Sequence, residues 1–171
     1  MTIDRVEHDA GAREKTISWQ DPMPSAALAR TMSGLRYLTG IAEGEIPPPP
    51  IAAHFGMRWV SVGDGDVVLA SIPDESVYNP IGTVHGGVAA TMLDSAVACA
   101  VHSTLGAGVG YTTVELKISY LRPILASSGE IRAHGWVVKS GSRVAFAEGD
   151  VRDAAGTVLA TASSTCLILG A

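Results

Sequence analysis

The sequence predicts an α+β fold in which a curled antiparallel sheet of about five or six strands wraps around one long central helix, with an extra N-terminal helix. The run from Val88 to Val101 is apolar or small on almost every side, which is typical of a helix that is buried all round. Four long segments with a period of two follow it, and their connections are too short for parallel crossovers. A sheet that buries such a helix must curl around it.

The composition indicates one domain and excludes several kinds of partner. At 171 residues the chain can bury a substantial core, and with 47% hydrophobic but only 17% charged residues we expect oligomer contacts to cover part of its surface. The net charge is −5 and no basic run occurs, so we expect neither nucleic acid nor an anionic membrane as a partner.

The few cysteines and the absence of targeting patterns predict a cytoplasmic protein. We find no signal-peptide pattern and no uninterrupted run of about 18 apolar residues that would span a membrane. Cys99 and Cys166 lie in apolar surroundings and are expected to be buried, reduced thiols. No spacing of Cys and His is typical of zinc, so no metal is expected.

Residues 1–50 are predicted to be an N-terminal extension that packs on a main domain of residues 51–171. Residues 1–20 are polar and aperiodic, and we expect them to be mobile. From residue 24 to about residue 44, apolar residues recur at spacings of three and four, which predicts one amphipathic helix. Pro47–Pro50 end that helix and form a stiff, extended connector.

The strands are predicted from alternation and turn residues. Met57–Val62 and Asp66–Ile72 form a hairpin because an Asp-Gly turn joins them, and the segment 73–84 is a loop. The strands after the central helix are Tyr111–Leu121, Gly129–Val138, Val144–Arg152 and Val158–Ile168. In the first of them, alternation predicts a buried face made by Val114, Leu116, Ile118 and Tyr120.

The central helix carries one charge and an unusual start. A carboxylate buried without partners costs several kcal/mol or takes up a proton, so Asp94 is interpreted as a reactive group in a cleft rather than a hydrated or locally satisfied acid. Gly86 and Gly87 follow His85 and let another group approach the backbone. The first N–H groups of a helix suit an anion or a developing oxyanion. The ordinary alternative is a glycine pair that serves only a tight turn.

The spacing of these two features predicts a homodimer. Gly86 and Asp94 are eight residues apart, which is about 12 Å along a helix. A reacting group must lie about 3 Å from each, so one chain cannot supply both to one site. Two antiparallel helices related by a two-fold axis can, with Asp94 of one chain facing Gly86 of the other. This inference holds only if the two residues serve the same site.

Three stretches carry a family resemblance: Asn79-Pro80 through His85-Gly86-Gly87 to Leu93-Asp94, then Thr113–Ile118 with Tyr120-Leu121-Arg122-Pro123, and Val138–Ala145. Together they resemble the hotdog-fold acyl-CoA thioesterases, in particular the PaaI-like (phenylacetate-degradation) branch of the 4-hydroxybenzoyl-CoA thioesterase superfamily. The resemblance extends over about residues 52–169. His-Gly-Gly alone is a weak signal, whereas its combination with Asn79, Asp94 and the Leu-Arg-Pro is specific.

The resemblance implies hydrolysis of an acyl-CoA to a carboxylic acid and free CoA, with no cofactor because CoA is part of the substrate. Gly86 N–H would polarise the thioester carbonyl, and Asn79 would hold or activate the water or the carbonyl. Asp94 of the partner chain would be the general base or nucleophile. Thr113, with Thr112 adjacent, would orient the water, and His85 is grouped with these catalytic positions as a residue that orients the loop.

The resemblance also implies where CoA binds and how the chain assembles. The expected CoA-contacting positions are Gly87, Tyr120, Arg122, Lys139, Ser140, Gly141, Ser142, Arg143 and Val144. The residues themselves agree at the last turn, since two cations flank a Gly-Ser sequence that suits phosphates, although an ordinary solvated turn would look the same. A homodimer, assembled as a dimer of dimers, is expected. The resemblance does not clearly cover residues 1–50, and their apolar spacing leads us to expect that they cover an apolar surface or an acyl pocket.

Two other functions share this fold. A hotdog dehydratase or hydratase pairs an acid with a His in an Asp-x-Asn-x-x-His loop, and the loop of residues 76–81 has no such pair. A non-catalytic acyl-CoA binder would keep the CoA turn and lose the helix acid, but Asp94 is present. A further thioesterase branch places Thr one turn after its acid, where this chain has Ala98. The sequence does not name the acyl group.

Overall fold

The structure is a computed structural model that describes residues 11–170, and residues 1–10, where mobility is expected, lie outside the described residues. The helices are α1 (Pro22–Ala29), α2 (Gly34–Ala42), α3 (Pro50–Phe55) and α4 (Gly86–Ser103). The strands are β1 (Arg58–Gly63), β2 (Asp66–Ser71), β3 (Gly110–Tyr120), β4 (Ile131–Lys139), β5 (Val144–Arg152) and β6 (Val158–Leu169).

The six strands form one sheet in the order β1-β2-β4-β5-β6-β3, with every neighbouring pair antiparallel. The long helix α4 contacts all six strands, so the sheet curls around it as predicted. Its side chains Met92, Leu93, Val97 and Val101 are completely buried. Each such side chain contributes about 1.5–3 kcal/mol through burial, so this contact stabilises the fold substantially.

Small residues set how closely α4 approaches the sheet. A Cβ added at Gly135 in β4 would lie 2.4 Å from the backbone carbon of Ala96, in the middle of α4. The neighbouring Gly149 in β5 is equally confined, since its Cβ would lie 2.7 Å from the carbonyl oxygen of His134. The helix backbone therefore rests almost directly on the sheet, and this fixes the depth of every side chain on α4.

The N-terminal extension differs from the single helix that the spacing predicts. The chain forms α1 and α2 with a break at residues 30–33, because Ser33 caps a new helix by accepting a hydrogen bond from Arg36 N–H. Most of α1 is exposed, whereas Leu38 and Ile41 of α2 belong to the same core as α4. The connector also ends earlier than predicted, since Pro50 is the first residue of α3 and Pro fits that position well.

The predicted inner face of β3 is wrong at two positions. Leu116 and Ile118 pack against the core, but Val114 and Tyr120 are each 57% exposed. The pairing with β6 shifts between Thr113 and Glu115, so a bulge inserts Val114 as an extra residue and reverses the alternation on one side of it. A bulge cannot be seen in a pattern of apolar residues alone.

Residues 11–21 form no helix or strand, yet they are attached to the main domain. The Lys15 ammonium group donates hydrogen bonds to Asp74 at 2.8 Å and Ser76 at 3.0 Å. The Trp19 ring lies 5.8 Å from the ring of His54. Lys15 and Trp19 therefore contact the main domain. None of the helices within residues 11–170 is long and apolar enough to cross a membrane.

Candidate active site

The N-terminus of α4 presents one open backbone N–H group. The Nδ1 atom of His85 accepts a hydrogen bond from Gly87 N–H at 2.9 Å, and the His85 carbonyl accepts one from Val88 N–H at 2.9 Å. The Gly86 N–H group has no acceptor among residues 11–170. Because it also lies at the positive end of the helix dipole, it can donate to an oxyanion. His85 is therefore a capping residue. Because the Gly87 N–H group donates to it, that group is not free for CoA, although Gly87 is a predicted CoA contact.

Gly86 and Gly87 are glycines because neighbouring side chains leave little room for a Cβ, and not because their backbone conformation requires glycine. A Cβ at Gly86 would lie 3.1 Å from the ring of Tyr120, and a Cβ at Gly87 would lie 2.9 Å from Nδ1 of His85. The Tyr120 hydroxyl also donates a hydrogen bond to the Gly86 carbonyl at 3.2 Å. The expectation that glycine allows a close approach is confirmed, and the groups that approach belong to this chain.

Asn79 closes the loop that leads to α4. Its Oδ1 atom accepts hydrogen bonds from the N–H groups of Ile81 and Thr83, each at 3.1 Å. Its Nδ2 atom donates to the Thr83 hydroxyl at 2.8 Å. An amide nitrogen carries two N–H groups, so a second one can still donate to a ligand. The loop role and a catalytic role are therefore compatible.

Asn79 and Gly86 line one pocket together with two predicted CoA-contacting residues. This pocket, which we call the N-terminal pocket, has a volume of about 360 Å³ and includes Tyr120 and Arg122. The Arg122 guanidinium donates to the Val158 carbonyl at 3.3 Å and is otherwise exposed. The N-terminal pocket thus combines an open helix N-terminus with a cation.

Asp94 lies in a different and larger cavity of about 750 Å³, the Asp94 cavity, which Thr113 also lines. The Oδ1 atom of Asp94 and the indole nitrogen of Trp59 are buried, and within the described residues they are the two buried side-chain polar atoms without a hydrogen-bond partner. Trp59 lines the same cavity. Buried polar atoms are nearly always paired, so the Oδ1 atom of Asp94 is open to a water or another donor that enters the cavity.

Thr113 faces into this cavity at the bulge of β3. It pairs with Cys166, which is fully buried, so its side chain lies on the inner face, while Thr112 is exposed. Burial raises the pKa of the Cys166 thiol, the nearby carboxylate of Asp94 raises it further, and hydrogen bonds from Thr113 and Ser164 lower it. Thr113 and Asp94 line the same cavity, and the predicted roles need them in one place.

The cysteines are free and buried, as predicted. Burial raises the pKa of Cys99 to about 12, and the nearby charge of Asp94 adds to this rise. Because the thiolate is the reactive form, a thiol with such a pKa is inert near neutral pH.

The predicted CoA turn between β4 and β5 lies far from Gly86. The side chain of Ser140 is 3.4 Å from Thr104, the residue that follows α4. Helix α4 has 18 residues and is about 27 Å long, so within one chain this turn and Tyr120 lie at opposite ends of it. Lys139 and Arg143 are exposed and pair with no carboxylate among the described residues.

The structure therefore divides the predicted site residues into three groups: the N-terminal pocket, the Asp94 cavity and the β4–β5 turn. Sequence reasoning missed most of the lining of the Asp94 cavity, including Tyr37, Trp59, His102 and Tyr111. These residues come from α2, β1, α4 and β3, and no local pattern connects them. Within residues 11–170, no three His, Cys, Asp or Glu side chains are grouped so that they could hold a metal ion.

Comparisons with known proteins place the chain in a family. A model of the thioesterase superfamily matches residues 81–160. A Halobacterium salinarum protein named as an esterase is 42% identical over 103 residues, which cover 57% of this chain and 66% of that protein. Human acyl-coenzyme A thioesterase 13 is 34% identical over 110 residues, which cover 62% of this chain and 75% of the human protein.

A solved structure agrees with these relatives. The phenylacetic acid degradation-related protein of Ralstonia eutropha is 31% identical, has a TM-score of 0.70, and matches over 77% of this chain and 98% of its own. The chain belongs to the thioesterase superfamily. The hotdog fold, the PaaI-like resemblance and the class of thioester hydrolase are thereby confirmed.

Proposed function

We propose that this thioesterase hydrolyses acyl-CoA in a homodimer whose two sites each combine groups from both subunits. Gly86 and Asn79 of one subunit would act with Asp94 and Thr113 of the other. Membership of the superfamily and the name of the human relative support the reaction. The observation that carries the shared site is that one chain holds these two pairs of residues in separate pockets.

The chemistry follows from the two half-sites. The carbonyl oxygen of the thioester accepts a hydrogen bond from the open Gly86 N–H group, and negative charge that develops on it is stabilised at the helix N-terminus. The second N–H of Asn79 can donate to the same oxygen or hold the attacking water. Asp94 takes a proton from that water or attacks the carbonyl carbon itself. When Asp94 acts as the base, the activated water adds to the carbonyl carbon, the C–S bond breaks, and the CoA thiolate leaves and takes up the proton. When Asp94 attacks, loss of the thiolate leaves a mixed anhydride on Asp94, and a water then hydrolyses it to the carboxylic acid and free Asp94.

Asp94 is the best candidate for the reactive group in its cavity. The thiols of Cys99 and Cys166 are the other nucleophiles nearby, and burial keeps both of them protonated. The unpaired Oδ1 atom of Asp94 is available to a water or a substrate carbon. Thr113 lies beside it and can orient that water.

Two features support an antiparallel dimer. The outer edge of β3 has no strand partner within the described chain, and a long exposed edge strand is a template for pairing with another copy. If Gly86 of one helix faces Asp94 of the other, the two-fold axis passes near Ala90, which is small and only half buried. A small residue there allows the two helices to approach closely. Assembly into a dimer of dimers stays a prediction.

The same arrangement accounts for the CoA-binding residues. Tyr120 and Arg122 are near the start of α4, and Lys139 and Arg143 are near its end, about 27 Å away along the helix. Groups so far apart can serve one CoA only if they come from different subunits. The unpaired cations of the β4–β5 turn suit the phosphates of the CoA that reacts at the partner's Gly86.

Mixed dimers test the shared site. Asp94→Asn removes the reactive carboxylate, and we expect kcat to fall by about 10²–10⁴ in the homodimer. Asn79→Asp keeps the oxygen that closes the loop but removes the N–H donors. It therefore disables the half-site that Asp94→Asn leaves intact. When equal amounts of the two variants are unfolded and refolded together, each mixed dimer has one intact site of two. Random pairing makes about half of the dimers mixed, so the mixture should recover about a quarter of the wild-type activity.

The controls are the two variants refolded separately, and thermal melts that show both fold. Recovery only in the mixture supports the proposal. If the site lies within one subunit, no mixed dimer contains an intact site and activity stays low, which would overturn it. Thiol release from an acyl-CoA panel separates hydrolysis from the alternatives. A binder releases no thiol, and a hydratase changes the acyl group without freeing CoA.

A further inference from the structure

The N-terminal extension is joined rigidly to the far end of α4. The first residue of α2, Gly34, donates its backbone N–H to the Leu105 carbonyl at 3.0 Å. A Cβ at Gly34 would lie only 1.8 Å from the carbonyl oxygen of His102, so α2 rests directly on the backbone of α4. The position of α2 relative to the Asp94 cavity is therefore fixed.

One side chain of α2, Tyr37, is held in place at both of its ends. Its hydroxyl lies 3.0 Å from the Ser25 hydroxyl, which is buried and also donates to the Pro47 carbonyl at 3.3 Å. Its ring lies 5.7 Å from the ring of His102, which in turn lies 4.9 Å from the ring of Tyr111. We call these three rings the aromatic wall. All three line the Asp94 cavity.

The distance between the aromatic wall and Asp94 follows from the geometry of α4. His102 follows Asp94 by eight residues in the same helix, which corresponds to about 12 Å along its axis. Between these levels the cavity is lined by apolar groups, among them Leu38, Ala98 and Cys99. Burial lowers the pKa of His102, so its ring is neutral near pH 7 and does not attract an anion.

We propose that the aromatic wall is the closed end of the acyl pocket and that Tyr37 limits the acyl group to a medium length. With C–C bonds of about 1.5 Å in a zigzag chain, ~12 Å corresponds to roughly eight to ten carbons. The proposal rests on the proposed function, because it takes Asp94 as the position of the reacting carbonyl. It makes part of the N-terminal extension a determinant of specificity, although Tyr37 lies outside the residues that the superfamily model matches.

A chain-length series tests this role. We would measure thiol release, as kcat/KM, for saturated acyl-CoAs of roughly four to sixteen carbons. The wild-type enzyme should prefer chains of about eight to ten carbons and lose activity on longer ones. Tyr37→Ala removes the ring and opens the end of the pocket. The space left by the ring should accommodate about two more methylenes, so the ratio of kcat/KM for chains of about twelve and ten carbons should rise roughly tenfold.

Two matched variants separate the length limit from a general loss of packing. Tyr37→Phe keeps the ring and loses only the contact with Ser25, so its chain-length profile should match that of the wild type. Leu35→Ala shortens an apolar side chain of the same helix that does not line the cavity, and it should not change the preferred length. If Tyr37→Ala fails to fold, Tyr37→Leu serves as the smaller truncation.

The possible outcomes are distinct. An unchanged profile in folded Tyr37→Ala or Tyr37→Leu would overturn the role of Tyr37, and so would the same shift in Leu35→Ala. A wild-type enzyme that releases thiol equally well from all lengths would also overturn it. If the wild-type enzyme releases no thiol from any acyl-CoA, the proposed function itself has failed.

Discussion

The N-terminal pocket and the Asp94 cavity lie along the same helix but are built in different ways. At the start of α4, the open N–H group and its cap come from His85, Gly86 and Gly87, which are consecutive, although β6 and the end of β3 with the residues after it supply other walls of the N-terminal pocket. The Asp94 cavity takes its walls from α2, β1, α4 and β3. An oxyanion site can therefore be made by a short local sequence, whereas an acyl pocket needs the whole fold.

This difference predicts where substitutions act. Changes at the N-terminal pocket should affect the carbonyl chemistry and leave the acyl preference as it is. Changes at the contact between α2 and α4 should affect stability and acyl preference together, because that contact positions the aromatic wall.

Gly34→Ala should be the most disruptive of these changes. Its Cβ would overlap the His102 carbonyl oxygen at 1.8 Å, and neither backbone can yield without moving α2 off α4. Overpacking of this kind costs about 1–3 kcal/mol. We expect a lower midpoint in urea unfolding and, in the folded fraction, a weaker preference for acyl length.

Gly106→Ala is the matched control for this change. A Cβ at Gly106 would meet nothing within 4 Å, and the residue also lies near the end of α4. Its unfolding midpoint should stay close to that of the wild type. If Gly34→Ala and Gly106→Ala are equally stable, α2 is not held against α4 by this contact, and the rigid placement of Tyr37 loses its basis.

The same contrast explains what the sequence could predict. The buried helix, the hairpin and the four long strands follow from local periodicity and turn residues, and they lie close to where they were predicted. The sequence also singles out Gly86 and Asp94, and their shared site stays a prediction. The exposed Val114 was predicted wrongly because a bulge shifts the pairing by one residue, and only the partner strand reveals it.

The extension shows a second limit of sequence reasoning. The apolar spacing from residue 24 to residue 44 fits one helix, but Ser33 and Gly34 divide it into α1 and α2. Ser33 is a good capping residue, which local reasoning could have weighed. The reason for Gly34 lies in α4, 68 residues further along the chain at His102, and no local pattern contains it. The aromatic wall was missed for the same reason.

His85 provides a smaller test at the N-terminal pocket. His85→Ala removes the acceptor of the Gly87 N–H bond and should lower the free energy of unfolding by about 1 kcal/mol, as for other lost helix caps. His85→Asn supplies an oxygen that can accept the same bond, so most of the stability should return. Urea unfolding of the three proteins measures this. A catalytic rather than capping role would instead appear as a large loss of kcat in the well-folded Asn variant.

The pH dependence of stability gives the smallest effect and concerns the aromatic wall. Burial lowers the pKa of His102 below its ordinary value of 6.5, so the unfolded chain binds a proton that the folded chain does not. The contribution of His102 to the free energy of unfolding is fully present above pH 6.5. It is lost as the pH falls from 6.5 through the lower pKa of the folded state.

The variant His102→Phe tests this, since it keeps a ring between Tyr37 and Tyr111 but cannot be protonated. Thermal melts from about pH 7.5 to pH 5 should show the wild-type Tm falling more steeply than that of His102→Phe. Parallel curves would mean that the wall is open to water, and a hydrated wall could not act as the closed end of an apolar pocket.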